Sequence, residues 1–189
     1  IEILSNVIEE KRSKLFHVIT VNPEITMAYQ KDSYLRSIIN EAGLITADGI
    51  GIVMVSRLRG CKLPERVTGY DTLLRLLSLG NHKKWSFYFL GADPITNNKI
   101  SEVIGEKYPD LLILGRHHGF FSQHEEDQIV DEIAFLNPDI LVVALGAPYA
   151  EKWIYTYKTK LNAKIAIGVG GSLDVISGKV KATPVIWKR

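Results

Sequence analysis

The stretch Leu44-Ile45-Thr46-Ala47-Asp48-Gly49-Ile50-Gly51 decides the fold. A short apolar run ends at Asp48, two glycines follow, and a second apolar run covers 50–58. That is how a buried strand passes through a tight turn into a helix. An acid at such a turn stands where open α/β sheets hold their ligands. It can equally cap the helix by accepting a backbone N–H. The continuation, Leu63-Pro64-Glu65-Arg66-Val67-Thr68-Gly69-Tyr70-Asp71, sets an acid beside a base in a loop-like segment. Arg66 there can grip a phosphate through two parallel hydrogen bonds, or form a surface ion pair of little worth.

The same pattern runs outward in both directions. Toward the N-terminus, apolar residues at helical spacing predict a helix over 2–14, and β-branched residues a strand over 16–21. Asn22 suits a cap and Pro23 a first helical turn, with one helix expected to residue 40. After the strand at 44–47, helices are expected over 50–59 and 70–79, the latter closed by Gly80-Asn81. Strands follow at 85–90, 111–114, 140–145 and 164–167, and helices at 95–107, 123–136, 151–161 and 173–177. Strand and helix alternate throughout, and the strands are apolar on both faces. This predicts a doubly wound, mostly parallel α/β sheet of about six strands with helices on both faces. The turns holding Thr20 and Asn22, Asp48, Gly91 to Asp93, Gly146 to Pro148 and Gly168 to Asp174 then gather on one edge.

At 189 residues the chain is expected to be a single domain spanning 1–189. A net charge of +2 argues against a nucleic-acid binder. Local basic clusters at 152–164 and 179–189 are solvated faces by default, or contacts to anionic lipid or phosphate. Cys61 is the only cysteine, so no disulfide framework exists, which fits a reducing compartment. No apolar run reaches the length of a membrane span. The chain opens on Ile1 and stops after Trp187-Lys188-Arg189, so further segments are expected on either side.

Gly168-Val169-Gly170-Gly171 can cradle a phosphate or sit against a ribose with its backbone N–H groups. It is neither the dinucleotide fingerprint, because its third glycine is misplaced, nor a Walker loop. Asp174 follows it, either reaching ribose hydroxyls or serving the helix dipole. In Gly146-Ala147-Pro148-Tyr149-Ala150-Glu151-Lys152-Trp153, Pro148 and Glu151 suit a helix start, and Tyr149 can stack on a base or simply pack. His117 and His118 are adjacent without a third ligand at metal spacing, and strand alternation would send them to opposite faces.

Together, Thr20-Val21-Asn22-Pro23-Glu24, Ala47-Asp48-Gly49-Ile50-Gly51, Leu63 to Gly69, Phe89-Leu90-Gly91-Ala92, Leu145 to Trp153 and Gly168 to Gly171 with Asp174 and Gly178 resemble the WecG/TagA/CpsF glycosyltransferase family. The motifs match in order and spacing over nearly the whole chain. The resemblance implies an inverting, metal-independent enzyme with no cofactor. Its best-known members move N-acetylmannosamine from a UDP donor to the 4-hydroxyl of N-acetylglucosamine on undecaprenyl diphosphate, for wall teichoic acid. Relatives move N-acetylmannosaminuronic acid or glucose.

By that resemblance Asp48 is the general base, Arg66 neutralises the leaving diphosphate, and Thr20 and Asn22 line the pocket. The substrate and nucleotide contacts it implies extend to Gly49, Gly91, Ala92, Gly146, Pro148, Tyr149, Glu151, Gly170, Gly171 and Asp174. It also implies work at the cytoplasmic face of the membrane and a C-terminal membrane-docking appendage beyond this chain, and leaves homo-oligomerisation open. Two positions depart from the family pattern. Ala150 stands where the family usually has Gln, and Ala182-Thr183-Pro184 where Arg-Ala-Pro is common. Two other readings compete: a nucleotide-binding module without catalysis, in which Asp48 only caps, and a nicotinamide-dependent oxidoreductase, which the absent fingerprint disfavours.

Overall fold

A computed structural model describes residues 1–10, 14–49 and 67–181 of the chain. The β-branched and aromatic runs form six strands: β1 (Phe16–Val21), β2 (Leu44–Ala47), β3 (Ser86–Gly91), β4 (Leu112–His117), β5 (Ile140–Ala144) and β6 (Ile165–Gly168). They pair in the order β2-β1-β6-β5-β3-β4, and every pairing is parallel. Between them lie α1 (Glu2–Glu9), α2 (Pro23–Lys31), α3 (Ser33–Asn40), α4 (Gly69–Lys83), α5 (Pro94–Lys107), α6 (Gln123–Leu136), α7 (Tyr149–Tyr157) and α8 (Ser172–Ile176). The expected doubly wound α/β sheet is what forms. The helix expected over 50–59 lies outside the described residues.

Alternation along each strand feeds two cores. Phe87, Phe89, Ile140, Val142, Ile165 and Ile167 point to one face, where α1, α4 and α5 cover them. Tyr88, Leu90, Leu141, Val143 and Ala166 point to the other, under α6 and α7. Both faces of the central strands are therefore buried, which is why these strands read as continuous apolar runs. A third cluster, with Ile19, Ile25, Leu35 and Ile38, packs α2 and α3 against the β1 side. No helix among the described residues is long and apolar enough to cross a membrane.

Several local expectations change. The helix expected over 2–14 ends at Glu9, with Glu10 extended after it. The helix expected to run from Pro23 to residue 40 breaks at Asp32, whose N–H bonds to Ala28 O at 3.0 Å and whose carboxylate accepts from Leu35 N at 3.0 Å. One residue thus ends α2 and caps α3. Helix α4 does not stop at Gly80 but runs to Lys83, with Lys84 in the left-handed conformation after it. Gly80 instead makes room for a ring: a Cβ there would stand 2.7 Å from Phe87 Cε2. The strand expected to end at residue 114 continues to His117. The helix expected over 151–161 starts earlier, at Tyr149, and ends at Tyr157.

Because the sheet is parallel, the turns after Thr20, Ala47, Gly91, Ala144 and Gly168 share its C-terminal edge, as the alternation predicts. Strands β1 and β6 are neighbours at the point where the strand order reverses. The chain leaves β1 toward β2 on one side, whereas β3 and β4 lie on the other. That is where a crevice opens in such a sheet.

Candidate active site

The ladder between β1 and β6 runs as far as Val18 opposite Ile167. Beyond it a side chain takes over: Thr20 Oγ1 donates to Gly168 O at 3.3 Å. Helix α4 enters from the side. Its first residue, Gly69, packs so closely that a Cβ there would stand 3.2 Å from Thr20 Oγ1. The Asp48 N–H is held by Val21 O at 2.7 Å, and Val67 N–H by Ala47 O at 3.0 Å, so the ends of β1, β2 and α4 form one unit.

Asp48 projects its carboxylate into this junction, where Oδ2 accepts the Gly69 N–H at 3.2 Å. This is one of the free N–H groups at the start of α4, whose cap is Thr68, with Oγ1 accepting from Asp71 N at 2.9 Å. The capping role considered for Asp48 therefore has a real counterpart, toward α4.

A cleft of about 420 Å³ opens above these residues. Thr20, Asn22, Asp48, Glu151, Gly170, Gly171 and Asp174 all line it. Asn22 spends its side-chain oxygen on capping α2, accepting from Ile25 N at 2.8 Å. Asp174, in the first turn of α8, accepts from Thr96 Oγ1 at 3.3 Å and lies 3.4 Å from Lys179 Nζ. Lys179 also reaches Asp93 at 2.7 Å, and this ammonium, with Thr96, holds the Asp93 carboxyl well below the usual carboxylate range. Lys179 thereby ties the start of α5 to the cleft wall.

Glu151 differs from the other acids. It is 2% exposed, and its Oε2 has no hydrogen-bond partner among the described residues. Its Oε1 lies so near the β6 terminus that a Cβ on Gly168 would stand 2.5 Å away. Burial pushes its carboxyl up to about 7, and the negative charge of Glu24 adds to the rise.

Six of the expected contact residues, Gly49, Gly91, Ala92, Gly146, Pro148 and Tyr149, are absent from the described lining of this cleft. Gly91 and Ala92 build a closed turn: Ala92 N–H bonds to Ala144 O at 3.0 Å, and Asn97 Nδ2 to Gly91 O at 2.9 Å. Gly146 O accepts the Ala150 N–H at 2.8 Å, which starts α7. Tyr149 is half exposed on the outside of that turn. Arg66 lies outside the described residues, as does Ala182.

The cleft also takes residues the sequence reading missed as lining, among them Thr68, Tyr70 and Ala147, and it takes Ala150, the departure from the family pattern. Thr68 carried a usable signal, a cap residue three positions before Asp71. His117 and His118 do not diverge, since His117 is the last residue of β4 and the rings stand 4.5 Å apart. No group of three or more metal-ligating side chains occurs among the described residues.

Comparison with known proteins shows what the chain is similar to. The model of the glycosyl transferase WecG/TagA/CpsF family matches residues 1–189. An N-acetylglucosaminyldiphosphoundecaprenol N-acetyl-beta-D-mannosaminyltransferase of Bacillus subtilis is 38% identical over 87% of this chain and 64% of its own length. The enzyme of the same name from Bacillus spizizenii is 36% identical over 91% of this chain and 66% of its own. One from Staphylococcus aureus is 31% identical over 91% of this chain and 67% of its own. The chain thus spans about two thirds of the length of these relatives.

Proposed function

This chain belongs to the WecG/TagA/CpsF glycosyltransferase family, and from that premise we propose that it is the core of an inverting N-acetylmannosaminyltransferase. The donor is a UDP-sugar, and the acceptor is N-acetylglucosamine on undecaprenyl diphosphate. The observation that carries this reading is Asp48 in a cleft at the β1–β6 edge, beside Thr20 and the Gly168–Gly171 turn. The names of the relatives supply the sugar and the acceptor. Work on a lipid-borne acceptor places the enzyme at the inner membrane face as a peripheral protein.

In the proposed step, the acceptor 4-hydroxyl attacks the anomeric carbon from the face opposite the diphosphate. An O–C bond forms as the C–O bond to phosphate breaks, and configuration inverts. The hydroxyl proton passes to the Asp48 carboxylate, and UDP leaves with the bonding electron pair. Arg66 meets the charge that develops on the diphosphate, a role a cation fills in other transferases. No resident metal is invoked. This rests on Arg66 and on a sequence without an Asp-x-Asp motif.

The test is transfer from UDP-N-acetylmannosamine to a short-chain lipid-diphosphate N-acetylglucosamine, in the full-length protein, with chelator present. Asp48→Asn is expected to keep the fold and UDP affinity, because the amide oxygen still accepts the Gly69 N–H. Turnover should fall by about two orders of magnitude or more, the worth of a positioned base. Unchanged turnover would return Asp48 to a capping role. A strict need for magnesium or manganese would refute the metal-free reading.

A further inference from the structure

We propose that Glu151 binds the nucleotide-sugar donor as a neutral acid, its carboxyl O–H donating a hydrogen bond to an oxygen of the ligand. The inference rests on the donor site proposed above and adds that the ionisation of Glu151 gates it. Three features of the geometry support it. Glu151 lines the cleft, yet is almost wholly buried at its wall. Its Oε2 has no partner among the described residues, although an unpaired buried polar group is costly. Its Oε1 is packed against the end of β6, where a Cβ on Gly168 would stand 2.5 Å away, so the carboxyl is held in place there.

Among the described residues, the nearby acids favour the neutral form. Glu24 on α2 acts on it as a like charge. Asp48 after β2 and Asp174 on α8 share the cleft. The neighbouring cations are engaged: Lys152 on α7 pairs with Asp32, and Lys179 with Asp93 and Asp174. A carboxyl pushed up to about 7 is available as the acid near neutrality. A diphosphate ester brought alongside would disfavour ionisation further. A protonated carboxyl supplies one O–H donor, which suits the acceptor-rich oxygens of a sugar diphosphate.

The consequence is a pH dependence of affinity. Only the acid form accepts the donor, so affinity falls as pH rises through the titration of the free protein. Calorimetric titration of the full-length protein with UDP-N-acetylmannosamine, from about pH 6 to about pH 8.5, tests this. That ligand is a diphosphate diester and does not itself titrate in the range. Wild type is expected to weaken by at least about tenfold, and by up to roughly thirtyfold if binding runs wholly through the acid. Glu151→Gln keeps the shape and an N–H donor but cannot ionise, and should hold its affinity within about twofold across the range.

If wild type and Glu151→Gln share one pH profile, the proposal falls while the donor site stands. If wild type binds no UDP-sugar at any pH, the functional reading falls and takes the proposal with it. A second measurement needs no variant. The carbon-13 shift of the Glu151 carboxyl, followed in wild type, should report the acid form in the donor complex at a pH where the free protein is mostly ionised. A carboxylate shift in that complex would overturn the proposal.

Discussion

Two glycine turns on the same sheet edge look alike in sequence and do different work. Gly91-Ala92 ends β3 and Gly168-Val169-Gly170-Gly171 ends β6, each followed by a helix. At the first, the polar groups bond to one another. Asn97 Nδ2 holds Gly91 O and His117 O, each at 2.9 Å, while Ala92 N–H and O bond to Ala144 and Gly119. At the second, Gly170 and Gly171 are exposed on the cleft, and Glu151 beside it carries an unpartnered oxygen. A closed turn is architecture; a turn with unspent hydrogen-bonding capacity is where a ligand has something to gain.

Substitutions at the two turns sharpen the contrast. Gly91 has φ +119, and a Cβ would stand 2.3 Å from Ala144 O. Gly91→Ala is expected to cost about 4 kcal/mol or to prevent folding, read by denaturant unfolding. Asn97→Ala removes the buried donor that spans the Gly91 and His117 carbonyls, and should cost about 2–3 kcal/mol. Its UDP-sugar affinity should stay within about twofold of wild type, since Asn97 does not line the cleft. A tenfold loss of affinity in folded Asn97→Ala would break the contrast. Gly170 has φ +51 with nothing within 4 Å of a Cβ, so Gly170→Ala should cost only about 1 kcal/mol, from backbone conformation alone.

These turns also show what the sequence could and could not reveal. Strand β1 and the Asn22-Pro23 start of α2 were legible because β-branched residues, a cap and a proline are local signals. The common edge for Thr20, Asp48 and Gly168 followed from strand–helix alternation, which forces parallel strands. The break at Asp32 was not legible, since apolar spacing continues through α2 and α3 and an exposed acid there resembles any surface acid. Gly91 marks tight geometry, and glycine alone does not say what closes on it. By its local pattern Glu151 only suits a helix start, and the resemblance alone set it among the substrate contacts. Only tertiary packing against Gly168 buries it and leaves its second oxygen unpaired.

The most direct measurement follows backbone amide resonances during titration with UDP-N-acetylmannosamine. A donor site at the β1–β6 junction is expected to shift Thr20, Asp48, Gly69 and the run from Gly168 to Asp174, leaving Gly91, Ala92 and Gly119 near their free positions. Shifts centred on Gly91 and Ala92, with Thr20 and Gly170 unmoved, would contradict the assignment of the site.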